Sequence, residues 1–489
     1  MLTNYKKLLN FYDNFFLLFA MLLIVYWAYC LISIYQFMPL GVDSGYHLSI
    51  VERIRDSSPL FTEIPVHYTP LAYFLWALVV LILDPLQITG TDIYWWTNSL
   101  MHMLTGVFAY SILRAIEIQR GLSAFTCASM LFSLSYSEGI LPFLEPFVVC
   151  FSLVAVLLVI KPHDGAYRYI LAGVFSAASF LSKQYGIVCL IIIVLCTYLY
   201  SKNYKLLIVH FLYAIGGFAF FTCIFLAFIQ FKYQVHLTAL YVQFFPKYAG
   251  QQIDFVWIML SMWHAAPFGL LMLYWPISVR LASRDMKIFL IILFSAVIAF
   301  SMPLIKRPYL HYFLLVWPFV VLLVSVQMQI AFKRVVRGNL SSILFFILGI
   351  VLFLKMPVLF LYEPAVSVKR YSQSELATAY LLRGCVYDAK SKVLVIGNPL
   401  LMYLCNYLPS ETMDTGYAFF EFISDEDLLD KITKSSRIII DFSAYRTGEV
   451  LRRLGMSVDE FKGNLFEKGL RVVNVPGTHI EAWTSANEM

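Results

Sequence analysis

The sequence predicts an all-α polytopic membrane bundle of about eleven transmembrane helices with outer interface helices, followed by a small C-terminal extracytoplasmic α/β domain. Three observations predict it. Of 489 residues 60% are hydrophobic and only 13% charged, with a mean hydropathy of +0.75, outside the range of soluble globular domains. Apolar runs recur at the length a bilayer demands, about 20 residues per helical crossing. From residue 363 the pattern changes to short β-rich and helical segments in alternation, which divides the chain into a membrane part, 1–362, and a soluble part, 363–489.

The first run follows Lys6 and Lys7 and has no small-residue cleavage site after it, so it is expected to stay as a helix with the N-terminus in the cytoplasm. Apolar runs then lie at about 15–37, 93–113, 121–137, 143–160, 169–182, 185–200, 206–231, 255–279, 288–305, 310–332 and 340–362. A twelfth stretch, "PLAYFLWALVVLILD" from Pro70 to Asp84, is short for a crossing. The basic residues decide its status, because Lys and Arg concentrate in short cytoplasmic loops. Residues 363–489 carry 14 Lys+Arg and 17 Asp+Glu, leaving 22 and 13 in the apolar part. With eleven crossings, 14 of those 22 cations fall on the cytoplasmic side; a crossing at 70–84 inverts the asymmetry from Arg114 onward. Residues 70–84 are therefore read as an outer interface or re-entrant helix, inside a long outer loop of about residues 38–92.

The tail reads as strand, turn and helix over "KVLVIGNPLLMYLCNYLP", a strand over "SSRIIIDFSAY", one helix over "TGEVLRRLGMSVDEFKGNLF" and closing strands over "GLRVVNVPGTHIEAWTS". Eleven crossings from a cytoplasmic start put it outside. Six of the eight cysteines fall in apolar runs without metal-ligand spacing and read as small core residues; Cys385 and Cys405 lie in the tail. The net charge of +6 arises in membrane loops and indicates no nucleic-acid partner.

Polar residues gather at the outer face. "GVDSGYHLSI" places Asp43 and His47 four residues apart, with Leu48, Val51 and Ile54 on one face of a helix that starts near Asp43. Asp43 is then either the N-cap of an interface helix or a general base, or carbocation-stabilising carboxylate, at the membrane surface. His67 and Tyr68 of "EIPVHYTPLAYF" share its loop. "SYSEGILPFLEPF" supplies Glu138 and Glu145 at a short outer turn, and a carboxylate at the mouth of a span is costly unless it faces water or a partner. In "FLSKQYGIV", Lys183 either snorkels to headgroups or holds an anionic phosphate. "LIKRPYLHYFLL" places Lys306, Arg307, Tyr309 and His311 in one outer turn, against the charge trend, and phosphate contacts explain such cations. Carboxylates with a separate phosphate-holding cluster are what sugar transfer from a lipid-linked phosphate requires.

This set resembles the GT-C glycosyltransferases, in the branch of the protein O-mannosyltransferases and the bacterial lipid A aminoarabinose transferase. The likeness lies in motif order over roughly residues 1–330: "VDSGYH", "YTPLAYFLWALVV", "LPFLEPFVV", "FLSKQYGIV" and "KRPYLHYFLLVWP". The resemblance implies that Asp43 is the catalytic base and that the second outer acid is Glu145 or Glu138. It implies a polyprenyl- or dolichyl-phosphate sugar donor and a bundle of about eleven to thirteen helices. Asp43 is followed by Ser44 where many members carry Glu, so no metal site is expected and no cofactor is required. The expected enzyme is an inverting membrane glycosyltransferase of the inner membrane. Lys183, Lys306 and Arg307 hold the donor phosphate, and His47, His67, Tyr68, Tyr309 and His311 contact substrate. The acceptor is a lipid-linked glycan, a lipid or a protein. A glycolipid transporter or flippase predicts inverted repeats and mid-membrane charges. A non-catalytic assembly protein is the third reading.

Overall fold

The computed structural model describes residues 2–35, 42–55, 66, 68–83, 92–135, 143–160, 165–200, 204–236, 274–306, 312–335, 342–351, 353–354, 392–397, 408–409, 429, 432, 434–443, 445–474 and 479–485. The chain forms two compact units. The first comprises Met1–Gln36, Gly90–Phe225 and Gln252–Val366; the second comprises Phe37–Thr89, Leu226–Gln251 and Ser367–Met489.

The first unit is helical throughout its described residues. Its helices are α1 (Leu2–Tyr35), α4 (Asp92–Ala115), α5 (Arg120–Leu134), α6 (Glu145–Val159), α7 (Ala166–Ser182), α8 (Val188–Tyr200) and most of α9 (Tyr204–Tyr233). They continue with α10 (Trp275–Leu281), α11 (Arg284–Lys306), α12 (Phe313–Val335) and α13 (Ser342–Val351). The second unit holds α2 (Val42–Arg55) and α3 (Leu71–Leu83). Nine of the eleven expected runs coincide with these helices over most of their length; of the run at 340–362, residues 342–351 and 353–354 are described. Of the run at 255–279, only residues 274–279 are described.

The bundle is apolar on both its inner and outer surfaces, which is the signature of a lipid environment. On α1, Phe16, Ala20, Leu23 and Trp27 are buried, while Phe15, Leu18, Leu22 and Val25 on the other face are exposed. Water would penalise that outer stripe, and lipid does not. Among the described residues, four helices, with apolar segments Asn10–Ile32, Tyr204–Tyr233, Arg284–Pro303 and Phe313–Val335, are long and apolar enough to cross a membrane. The chain is a multi-pass membrane protein. Helix α12 lies at the centre of the first unit: the described residues Phe313–Phe332 are all buried, and it packs against α4, α5, α6, α10 and α11.

Small residues set the closest helix approaches. A Cβ at Gly173 of α7 would overlap the Ala214 carbonyl of α9, and one at Gly217 would overlap the Ile170 carbonyl in return. At the other end of α1, Asp13 accepts a hydrogen bond of 2.5 Å from the backbone N–H of Gly121, satisfying the start of α5. Trp27 Nε1 donates to Ser135 Oγ across 2.8 Å, and Ser135 Oγ donates to the Leu131 carbonyl.

In the second unit, α2 starts one residue before Asp43, as the periodicity predicts, and Leu48, Val51 and Ile54 are buried. Helix α3 has 13 residues. At 1.5 Å per residue that is about 20 Å, less than a bilayer core. Its buried face carries Tyr73, Trp76 and Val80, and its other face exposes Leu78, Leu81 and Ile82. The end of α9 joins this unit through Phe228 and Tyr233, whose rings lie 5.5 and 6.2 Å from that of Phe74.

Among the described residues, the C-terminal region forms a five-stranded sheet in the order β2-β1-β3-β5-β4, with β1 (Lys392–Ile396), β2 (Leu408–Pro409), β3 (Arg437–Asp441), β4 (Leu470–Asn474) and β5 (Ile480–Ser485). Strands β2, β1 and β3 are parallel; β5 runs antiparallel to both β3 and β4. Ile396, Ile438, Ile440, Phe461 and Trp483 form its core. One expectation is corrected here. The single helix predicted after β3 is two, α14 (Tyr445–Leu454) and α15 (Val458–Glu467). Gly455 has a φ of +64°, a C-terminal helix signal, and Ser457 starts a new helix with a capping box to Glu460.

Candidate active site

Among the described residues of the bundle, Glu145 and Lys183 form an ion pair buried on both sides. Glu145 opens α6, with Pro146 behind it fixing the first helical turn. The positive end of a helix dipole suits a carboxylate there. Lys183 sits at the C-terminal end of α7, where the dipole is negative and suits a cation.

Local backbone explains why Lys183 points inward. Its φ of −160° and ψ of 140° end α7 in an extended step, and a 3-10 turn, Gln184–Ile187, follows before α8. The Gly186 N–H donates to the Lys183 carbonyl across 2.8 Å. A Cβ at Gly186 would overlap the Ser179 backbone, so only glycine lets the turn fold back on α7. Below the pair, Ser179 Oγ donates to the Val148 carbonyl at 3.0 Å and meets Ser152 Oγ at 3.0 Å, tying α7 to α6.

Aromatic rings complete the cation's surroundings. Lys183 Nζ lies 4.8 Å from the ring centre of Tyr312 and 5.9 Å from that of Tyr185, and the two rings meet edge to face at 5.7 Å. Both ring faces attract the ammonium group. Glu145 Oε2 is buried and finds no hydrogen-bond partner among the described residues. A carboxylate oxygen of this kind can accept a hydrogen bond, for example from a hydroxyl.

Sequence reasoning expected Glu145 and Lys183 in separate roles, an acid and a phosphate-holding cation. The structure joins them, because neither charge is stable in a dry bundle alone. Tyr185 and Tyr312 lie in segments the sequence marked, yet no role was assigned to them. The usable signal was an aromatic two residues after the lysine and another next to His311.

In the second unit, Asp43 occupies the first turn of α2, and its side chain is outside the described residues. His47 is buried, and its Nδ1 lies 2.8 Å from the Tyr73 hydroxyl of α3. Tyr68, half-buried ahead of α3, faces His47 with 5.8 Å between ring centres. Tyr73 was missed because it reads as one more apolar residue of a short hydrophobic run. Lys306 is the last residue of α11, without a described side chain. His67, Glu138, Arg307, Tyr309 and His311 lie outside the described residues.

No family model matches this sequence, and no curated protein does. Solved structures show the fold: it is that of the GT-C membrane glycosyltransferases. The likeness is to ArnT, the lipid A aminoarabinose transferase, from Cupriavidus metallidurans bound to undecaprenyl phosphate. Its TM-score is 0.61 at 13% identity, over 96% of this chain and 98% of that one. The apo form of the same protein gives a TM-score of 0.58 at 13% identity, over 96% and 97% of the two chains. The archaeal oligosaccharyltransferase AglB from Archaeoglobus fulgidus gives 0.49 at 11% identity, over 96% and 75%.

Proposed function

We propose that this protein is a membrane glycosyltransferase that moves a sugar from an isoprenoid phosphate to a lipid-linked glycan or other cell-envelope acceptor at the extracytoplasmic face. The observation that carries this reading is the likeness to ArnT over nearly the whole of both chains, together with the undecaprenyl phosphate bound in that neighbour. Order of motifs adds to it, since Asp43 opens α2 directly after the first long apolar helix.

The chemistry is one displacement with inversion at the sugar. Asp43 takes the proton of the acceptor hydroxyl, the acceptor oxygen bonds to the anomeric carbon, and the bond from that carbon to phosphate oxygen breaks. The isoprenyl phosphate departs with the electron pair. Lys306 and Arg307 neutralise its charge. Lys183 serves this cluster while paired to Glu145, and the open Glu145 oxygen takes a substrate hydroxyl. The topology that suits this chemistry has eleven crossings, a cytoplasmic N-terminus in the inner membrane, α3 as an outer interface helix and the C-terminal sheet outside.

Purified protein in proteoliposomes, given labelled sugar on undecaprenyl phosphate and a lipid-linked glycan, is expected to transfer label to the acceptor. Movement of the glycolipid across the bilayer without transfer identifies a flippase instead. Neither activity identifies an assembly protein. Asp43→Asn is expected to lower turnover by roughly 100-fold or more, the usual contribution of a general base; unchanged turnover removes Asp43 from that role. Arg307→Ala is expected to raise the donor KM more than it lowers kcat, and an unchanged donor KM contradicts phosphate binding.

A further inference from the structure

We infer that His47 and Tyr73 form a positioning couple that sets the first turn of α2, and through it Asp43. The inference rests on the reading of Asp43 as the base. It assigns Tyr73, to which the sequence motifs attach no role of its own, to the catalytic architecture, and it gives His47 a role other than contact with substrate.

The geometry has three parts. His47 Nδ1 and the Tyr73 hydroxyl oxygen are 2.8 Å apart, and the two side chains are 3% and 0% exposed. The hydroxyl donates when Nδ1 is bare and accepts when it carries hydrogen. Around them the ring centres of Tyr68, Tyr73 and Trp76 lie 5.8, 5.6 and 6.3 Å from the imidazole. A histidine in such a wall, bonded to a buried hydroxyl, is held by the protein itself.

Helix physics gives the couple its effect. Helix α2 has 14 residues, a length at which an isolated helix is marginal, so its first turn depends on tertiary contacts. That turn also lacks intrahelical partners for its N–H groups. Position 43 lies one turn before His47 on the same stripe of the helix. Leu48, Ile50 and Val51, all at 0% exposure, pin the middle of α2 by apolar burial, which is non-directional and tolerates rotation about the helix axis. The bond to Tyr73 is directional and does not. Its partner is anchored in turn, because Tyr73 sits in the first turn of α3, where Pro70 precedes the helix and its carbonyl accepts the Phe74 N–H at 3.2 Å. Rotation of α2 by a few degrees moves residue 43 by a fraction of an ångström, and a misplacement of about 1 Å can cost about 100-fold in rate.

The test uses the full chain in proteoliposomes with labelled undecaprenyl-phosphate sugar, with monodispersity and thermal midpoint measured for every variant. Tyr73→Phe, one oxygen smaller, is expected to lower kcat by about 10- to 100-fold with the donor KM unchanged within about twofold. His47→Leu is expected to match it. His47→Asn, which keeps a hydrogen-bonding group near Nδ1, is expected to recover part of the loss. The double variant Tyr73→Phe with His47→Leu is expected to be no slower than the slower single, because the two act through one bond. Should His47→Leu fail to fold, Tyr73→Phe carries the test. Normal kcat in Tyr73→Phe beside an inactive Asp43→Asn overturns the inference alone. A raised donor KM with kcat intact also overturns it and makes His47 a binding residue. Normal turnover in Asp43→Asn overturns the base assignment, and the inference falls with it.

Discussion

Lys183 and Glu145 show what a buried charge demands of its neighbours. Breaking the pair leaves one uncompensated ion in an apolar interior, a cost of about 3–5 kcal/mol, whereas replacing both partners with apolar side chains is far milder. Lys183→Met is therefore expected to destabilise the bundle by about that amount in urea or thermal unfolding. Lys183→Met combined with Glu145→Leu is expected to recover most of the loss. If the double variant is as unstable as the single, the pair is not the reason for the effect. Gly186→Ala is expected to resemble Lys183→Met in stability, because the added Cβ meets the Ser179 backbone, which cannot turn aside as a side chain can. At this scale the sequence was legible in identity and illegible in pairing. Glu145 and Lys183 stand 38 residues apart, and no local pattern says that α6 and α7 bring their ends together.

Elements were easier to read than sites. Runs of about 20 apolar residues state a helix outright, and the described helices fall where those runs lie. The 13-residue α3 was legible as a helix for the same reason, from its apolar run. The pair α14 and α15 was not, because an amphipathic pattern continues through Gly455 while the backbone does not. Ser457 caps α15 by accepting from the Glu460 N–H at 3.2 Å, and Glu460 accepts from the Ser457 N–H at 2.7 Å. Ser457→Ala is expected to cost about 1 kcal/mol in the stability of the C-terminal region. The Ser457 backbone N–H first, and the nearby Ser457 hydroxyl second, hold the Glu460 carboxyl below its ordinary value of 4.5. A carboxyl whose value is lowered by folding stabilises the fold above its unfolded value and loses that contribution as pH falls through the folded one. Acidification below about pH 4.5 is thus expected to weaken this region, and Glu460→Gln to flatten that part of the profile. In the membrane, Gly173→Leu is expected to separate α7 from α9 and lower the yield of folded protein, since the Ala214 carbonyl occupies the space.

For the whole molecule, the strongest expectation concerns sidedness. Reporter fusions after residues 116 and 365 are expected to report cytoplasm and exterior, respectively; the reverse at both means that residues 70–84 cross the bilayer. By itself the sequence determined that this is a membrane chain and where its described helices lie, and it carries a motif order that resembles that of the GT-C enzymes. Composition and run length are properties of single segments, and the hydrophobic effect reads them without reference to the rest of the chain. Tertiary structure alone decided that Glu145 meets Lys183 beneath two tyrosines, that Tyr73 holds His47, and that glycines at 173 and 217 let α7 and α9 touch. Those are contacts between distant segments, fixed by close packing and by the cost of an unpaired buried charge, and a linear pattern carries neither.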